Sequence, residues 1–186
     1  MEPRAPMTRA PLPGDAGAAR RLAEMIRVDH AGEYGAARIY AGQLAVLGGS
    51  SKAAIIRHML AQEQAHLATF NGLIASRQVR PTALLPLWHA AGFALGALTA
   101  AMGARAAMAC TVAVEETIDA HYAEQAAALS EQETELAATI ERFRLEELEH
   151  RDIGLDHEAE RTPFYRALTG VIKAGCRIAI AVSEKI

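Results

Sequence analysis

Cysteine is scarce in this sequence, aromatic side chains are few, and neither sign of charge dominates; each shortage removes a class of protein. There are only two cysteines, Cys110 and Cys176, far apart and outside any Cys-x-x-Cys, which excludes a disulfide framework and a zinc knuckle. Both read as small apolar packing residues. A formal net charge of −3 gives no excess of cations to hold phosphates, so nucleic acid is not an expected partner. No Gly-x-Gly-x-x-Gly turn and no strand–helix alternation occurs, so the chain has no visible nucleotide-binding domain, and electrons for any redox chemistry must come from outside. Alternating β-branched runs are few and alanine is abundant, which favours an all-α fold. A length of 186 residues suits one domain whose core needs no staples.

What is present is a repeated pattern. Glu147-Leu148-Glu149-His150 lies in a helical stretch where Glu147 and His150, three apart, share a face with Ile140 and Phe143. A lone Glu-x-x-His is common on a charged surface helix, but here it recurs: Glu63-Gln64-Ala65-His66 has Ile56 and Phe70 seven residues to either side of the glutamate. Each is preceded by a single acid on an apolar stripe of another helical stretch, Glu33 by 30 positions and Glu115 by 32. Glu33 has Ile26 and Tyr40 seven residues to either side; Glu115 has Met108 and Tyr122. A carboxylate on a core stripe costs several kcal/mol (roughly 3–5) unless something compensates it. Four carboxylates neutralise two divalent cations, and two imidazoles complete the ligand set while leaving positions open. One Glu from each of two helices with Glu-x-x-His from each of two others is the di-metal arrangement of ferritin-like four-helix bundles.

Residues 1–16 carry Pro3, Pro6, Pro11, Pro13 and Gly14 and are expected to be a disordered leader, leaving 17–186 as a single ferritin-like helical domain. Asp15 is a candidate cap for a helix running to about Leu47 and ending at Gly48-Gly49. Along it Gly32, Gly35 and Gly42 allow close approach of a neighbouring helix or of substrate. Ser50 or Ser51 can cap a second helix to about Arg77, before Pro81. Between Arg80 and Arg105 there is no formal charge, and residues 84–102 are strongly apolar. That length raises a transmembrane helix. Pro86 and the glycines Gly92, Gly96 and Gly103 favour a helix lying in a membrane interface, with Trp88 suited to that level and a buried crossover helix as the alternative. A further helix carries Glu115 to about Leu129, and Ser130-x-x-Glu133 has the form of a capping box for the helix bearing Glu147. Thr162-Pro163 is expected to open the last helix, whose Arg166, Lys173, Arg177 and Lys185 either decorate a packed helix or make a basic amphipathic membrane surface.

Three long words, Val28-Asp29-His30-Ala31-Gly32-Glu33-Tyr34-Gly35-Ala36, Cys110 to Glu116, and Glu146 to His157, resemble the 5-demethoxyubiquinone hydroxylase family of ubiquinone biosynthesis, over about residue 20 to the C-terminus. The resemblance implies a ferritin-like di-iron monooxygenase, with additional membrane-facing helices, that hydroxylates the ring of a polyprenyl demethoxy-quinone with O₂ and an external reductant such as NADH. It makes Glu33, Glu63, His66, Glu115, Glu147 and His150 the iron ligands and catalytic residues, and selects Glu115 over its neighbour Glu116, which spacing alone leaves open. It places His121 and Tyr122 near the metals or quinone, although a core histidine and a packing tyrosine fit equally. Asp29, Asp152 and Asp156 are candidates to hold a ligating imidazole by its distal N–H, while His30, His58, His89 and His157 stand outside the ligand set. A peripheral site on the cytoplasmic face of a bacterial membrane, or on the matrix face of the mitochondrial inner membrane, is implied, with a homo-oligomer or a lipid-presenting partner protein. The same bundle could instead store or oxidise iron, since fold does not fix function; a non-enzymatic membrane adaptor is the other rival.

Overall fold

A computed structural model describes residues 15–129 and 133–186; residues 1–14 of the expected leader, the capping side chain of Asp15, and Ser130 of the Ser-x-x-Glu pattern lie outside the described residues. Among the described residues there are six α-helices and no strand: α1 (Asp15–Leu47), α2 (Ala53–Ser76), α3 (Leu85–Ala101), α4 (Ala104–Ala128), α5 (Thr134–Asp156) and α6 (Tyr165–Ser183), with a 3-10 turn at Ala159–Arg161 before α6. The all-α expectation holds. α1 packs on α2 and α3, α4 packs on α5 and α6, and α3 and α1 both reach α4.

α4 is the central helix, and its sequence says why. Every residue from Ala106 to Glu115 is buried, and all but Thr111 and Glu115 are small or apolar, so no face of this segment needs water. α5 comes close to it at Gly154, where a Cβ would press on Val112 and on the Met108 carbonyl. α3 lies along α1 with the two backbones touching. A Cβ at Gly42 would land on the Phe93 carbonyl and one at Gly96 on the Ile39 carbonyl, so glycine is required on both helices. That close seat buries Gly96, Thr99 and Ala100 and turns the rest of α3 outward, leaving Leu87, Leu98 and Met102 more than half exposed. No helix among the described residues is long and apolar enough to cross a membrane.

The helix ends differ from their expected caps. α2 starts after Lys52 without a side-chain cap; Ser50 Oγ instead donates to the Leu47 carbonyl at 2.7 Å and accepts from the Lys52 N–H at 3.2 Å, closing the turn between helices. α2 ends on Gln78 in the left-handed region (φ 53°), where the Val79 N–H reaches back to the Ile74 carbonyl at 3.0 Å. Gly103, at φ 118°, makes the break between α3 and α4. Glu133 does not act as the acid of a capping box: its carboxylate takes both Arg77 guanidinium nitrogens, at 2.9 and 2.8 Å. Thr162-Pro163 does not open α6 either. Phe164 adopts a left-handed conformation (φ 57°) between the proline and the helix, and the buried Thr162 hydroxyl has no partner.

Candidate metal centre

α1, α2, α4 and α5 each turn part of one acidic cluster inward. The helical period puts Glu33, Glu63, Glu115 and Glu147 on the same stripes as Tyr40, Ile56, Met108 and Ile140, all fully buried, and His66 and His150 follow one turn after their glutamates. Of the adjacent pair on α4, Glu115 points in, whereas Glu116 is outside and pairs with Lys173 of α6. Glu149 is exposed.

The six side chains meet as two quartets sharing two members: Glu33, Glu63, His66 and Glu147; and Glu63, Glu115, Glu147 and His150. Within each, one donor atom per residue lies within 4.8 Å of all the others. Glu147 stands between the imidazoles, 3.2 Å from His66 Nδ1 and 3.3 Å from His150 Nδ1, one oxygen to each. Glu63 spans the same gap, 4.0 Å from His66 Nδ1 and 3.1 Å from His150 Nδ1. Glu33 closes the first quartet at 3.3 Å from His66 Nδ1, and Glu115 the second at 4.0 Å from His150 Nδ1.

The inward atoms have no hydrogen-bond partner: Glu33 Oε2, both oxygens of Glu63 and of Glu147, Glu115 Oε2, and Nδ1 of both histidines. Eight buried polar atoms left orphaned around one spot is far from the usual behaviour of a protein interior. Ligands on bonds of roughly 2 Å sit roughly 3–4 Å apart, so the set could hold a cation in each quartet, with Glu63 and Glu147 common to both.

The outward atoms, by contrast, are all held. Tyr122 of α4 donates to Glu33 Oε1 of α1, and Tyr40 of α1 donates to Glu115 Oε1 of α4 at 2.6 Å, each tyrosine serving the other helix's acid. His66 Nε2 meets Glu146 at 2.6 Å and His150 Nε2 meets Gln62 at 2.9 Å, so both Nε2 atoms point away from the cluster and both Nδ1 atoms toward it. His66 also stacks on Phe143, ring centroids 3.9 Å apart.

The metal-free electrostatics follow from packing acids in a dry place. Burial first, then neighbouring carboxylates, push Glu63 and Glu115 well above the ordinary carboxylate range. His66, although burial works against it, is raised to about 12 by Glu147 and Glu33. Glu147, against the same burial, is held at about 2 by His150 and His66.

Of the other residues singled out in the sequence, Tyr122 touches the cluster and His121 does not. His121 faces Asp29 at 3.6 Å and Gln125 at 2.8 Å, and Gln125 donates to Asp29 at 2.7 Å, one turn of α1 before Glu33. Burial lifts the Asp29 carboxyl to about 6 against the pull of His121 and Gln125. Asp152 is not brought to the centre: its carboxylate is 59 % exposed and pairs with Arg151, because it lies two residues past His150 on a helix and faces outward. Asp156 and His58 are also on the surface, while His30 pairs with Asn71 at 3.0 Å and His89 with Tyr34 at 2.7 Å. Sequence reasoning missed Gln62 and Glu146. The signal was there, since each immediately precedes the glutamate of a Glu-x-x-His, but one turn of the chain cannot show that each serves the histidine of the other helix.

Beside the cluster lies a half-open apolar cavity of about 410 Å³ between α1, α3, α4 and α6. Gly32 and Gly35 of α1, Trp88 of α3, Val114 of α4, and Ile172 and Cys176 of α6 are among its walls, and Gly32 and Val114 are the chain neighbours of Glu33 and Glu115. Burial pushes the Cys176 thiol up to about 11, so it lines the cavity as a neutral group.

Residues 20–183 match the family model described as Ubiquinone biosynthesis protein COQ7. The chain is similar to a 3-demethoxyubiquinol 3-hydroxylase of Rhodospirillum rubrum, 57 % identical over 176 residues, which span 94 % of this chain and 83 % of the relative. It is also similar to the human NADPH-dependent 3-demethoxyubiquinone 3-hydroxylase, mitochondrial, 57 % identical over 166 residues and covering 87 % and 76 % of the two chains. The 5-demethoxyubiquinone hydroxylase, mitochondrial, of Saccharomyces cerevisiae is 43 % identical over 182 residues, covering 89 % and 78 %.

Proposed function

The chain belongs to the ubiquinone biosynthesis protein COQ7 family and is a demethoxyubiquinone hydroxylase, and we propose that it works through two iron ions held by Glu33, Glu63, His66, Glu115, Glu147 and His150. The observation that carries this reading is the set of eight orphaned, inward-facing donor atoms around one buried spot. The four helices that supply them form a ferritin-like bundle, with α3 and α6 laid on its outside. Iron held by these six residues would supply the redox chemistry by which O₂ hydroxylates the quinone ring, with electrons from an external reductant.

The protein's own residues do the rest. Glu146 and Gln62 fix each imidazole with Nδ1 inward, Tyr122 holds Glu33 by Oε1 so that Oε2 faces His66, and Tyr40 holds Glu115 by Oε1, the oxygen that lies 4.0 Å from His150. The cavity takes the ring and the first part of the tail. Its volume falls in the range of small-molecule sites, its walls are almost entirely apolar, and it runs behind Glu33 and Glu115. Those walls keep water from the reacting ring. An iron-storage role on the same bundle would leave such a cavity without a purpose.

Leu87 and Leu98 of α3, Met102 at its C-terminal end, and Val171 and Ile178 of α6 are exposed on the two helices that frame the cavity, with Arg166 and Arg177 exposed on α6. We assign this surface to a ubiquinone-containing membrane, entered from one side and not spanned, so that a polyprenyl quinone passes from the lipid into the cavity. A second copy or a lipid-presenting protein would use the same face. The reductant is a reduced nicotinamide from outside the fold; the human relative's name specifies NADPH. The test is iron analysis of the purified protein together with mass spectrometry of quinones in cells that accumulate the demethoxy precursor. Two irons per chain and restored product are expected, with both lost in Glu147→Ala. Hydroxylation by a variant that holds no metal would remove the metal reading.

A further inference from the structure

The two quartets repeat the same residue types and the same tyrosines: Tyr122 sits 82 positions after Tyr40 and Glu115 82 after Glu33, while His150 follows His66 by 84. They differ in what holds the imidazole. At the same place in the repeat, immediately before the bridging glutamate, α5 carries Glu146 and α2 carries Gln62. Glu146 takes His66 Nε2 at 2.6 Å, and His66 is its only ionic partner among the described residues; Gln62 takes His150 Nε2 at 2.9 Å. A second difference has the same sign. On the Glu33 side Gln125 binds the carboxylate of Asp29, whereas Gln43, its counterpart in the other half, binds the neutral hydroxyl of Thr111 and the carbonyl of Ala107.

We infer that the two metal positions are not equivalent: the one bounded by Glu33, Glu63, His66 and Glu147 takes the tighter-bound ion, because a carboxylate and not an amide holds its imidazole. The physical reason is local. A carboxylate acceptor draws the Nε2 proton toward itself, which raises electron density at Nδ1 and makes that nitrogen the stronger donor to a cation. An amide oxygen in the same place fixes the ring but adds no charge. Glu63 and Glu147 belong to both quartets and each terminal acid has one tyrosine, so Glu146 against Gln62 is the difference in residue type that touches a ligand.

This rests on the metal-centre reading, and the experiment separates the two. The full chain, stripped of metal, is titrated with Mn²⁺ by calorimetry. Wild type is expected to bind two ions in steps of unequal affinity. Glu146→Gln, which keeps both the reach and an acceptor oxygen, should weaken the tighter step roughly 10- to 100-fold and leave the weaker one in place. Gln62→Glu should tighten the weaker step. Equal steps in wild type, or an equal loss from both steps in Glu146→Gln, would overturn the inference while leaving the metal centre standing. Failure of wild type to bind two ions would instead overturn the centre. If Glu146→Gln does not fold, Gln62→Glu decides alone: an unchanged weaker step counts against the inference.

Discussion

Each glutamate of the cluster has two oxygens with separate duties, and that division sets what its loss does. Glu33 gives one oxygen to Tyr122 and one to a single quartet, so Glu33→Ala should lose one of two metal ions and reduce hydroxylation at least 100-fold, while the helical signal of the metal-free protein stays as in wild type; normal product formation would remove Glu33 from the ligand set. Glu147 gives an oxygen to each quartet, so Glu147→Ala should lose both ions. The metal-free protein also has a pH signature. Glu63, Glu115 and His66 have folded-state pKa values raised above their unfolded ones, so the fold binds more protons than the open chain, and stability is lost as pH rises. Glu147 is shifted the other way, to about 2, so its stabilisation is present throughout the neutral range and is lost only as pH falls from the ordinary carboxylate range toward 2, which adds no slope at higher pH. The Tm of metal-free protein should therefore fall between about pH 6 and pH 9, whereas a bound metal takes the place of those protons and flattens the curve. A metal-free Tm that climbs over the same range would contradict the charge arrangement. At this scale the sequence was legible where a residue repeats: the four acids and two histidines are visible as a duplicated pattern. It was not legible for Glu146 and Gln62, because their partners lie on a helix about 80 residues away, nor for Asp152, whose outward turn is decided by a register of one residue.

At the scale of the helix, glycine divides into two kinds. Gly42 and Gly96 are required by the contact of α1 with α3, so Gly96→Leu should cost about 1–3 kcal/mol or more, read as a lowered Tm, since the added side chain meets backbone that cannot yield. Gly32 and Gly35, on the cavity wall, have nothing near the position of an added Cβ. Gly35→Leu should therefore leave the Tm unchanged or higher, because leucine is the better helix former, yet weaken quinone binding by tenfold or more. Trp88, the only tryptophan and itself on the cavity wall, gives the readout, through quenching of its fluorescence by a benzoquinone. Undiminished quenching in Gly35→Leu would mean that the ring does not pass that wall. Helix extents were readable from the sequence, since apolar periodicity and the Gly48-Gly49 and Gly103 breaks mark them. The caps were not. Ser50, Glu133 and Thr162 have the right chemistry for helix starts, but a local turn took Ser50, the distant Arg77 took Glu133, and a left-handed Phe164 separates Thr162 from its helix.

For the whole molecule, α3 and α6 both wall the cavity and both carry exposed apolar side chains. Leu98 and Met102, 66 % and 64 % exposed, contribute about 1.5–3 kcal/mol each if buried in lipid, so the pair Leu98→Glu and Met102→Glu should cut sedimentation with anionic vesicles at least tenfold, without change in the metal content. Equal sedimentation of the variant would move the membrane contact to another face. Sequence alone determined that the chain is helical, that it carries two copies of one acid-and-histidine pattern, and that a long uncharged apolar stretch separates them; these follow from local period and residue type, which need no knowledge of distant neighbours. Only the tertiary structure decided that the four helices close on one point, that each half's tyrosine and amide or acid serve the other half's ligands, and that α3 lies along α1 and faces outward. Those facts depend on contacts between residues tens of positions apart, and such contacts are fixed by packing and by the geometry of hydrogen bonds across the bundle.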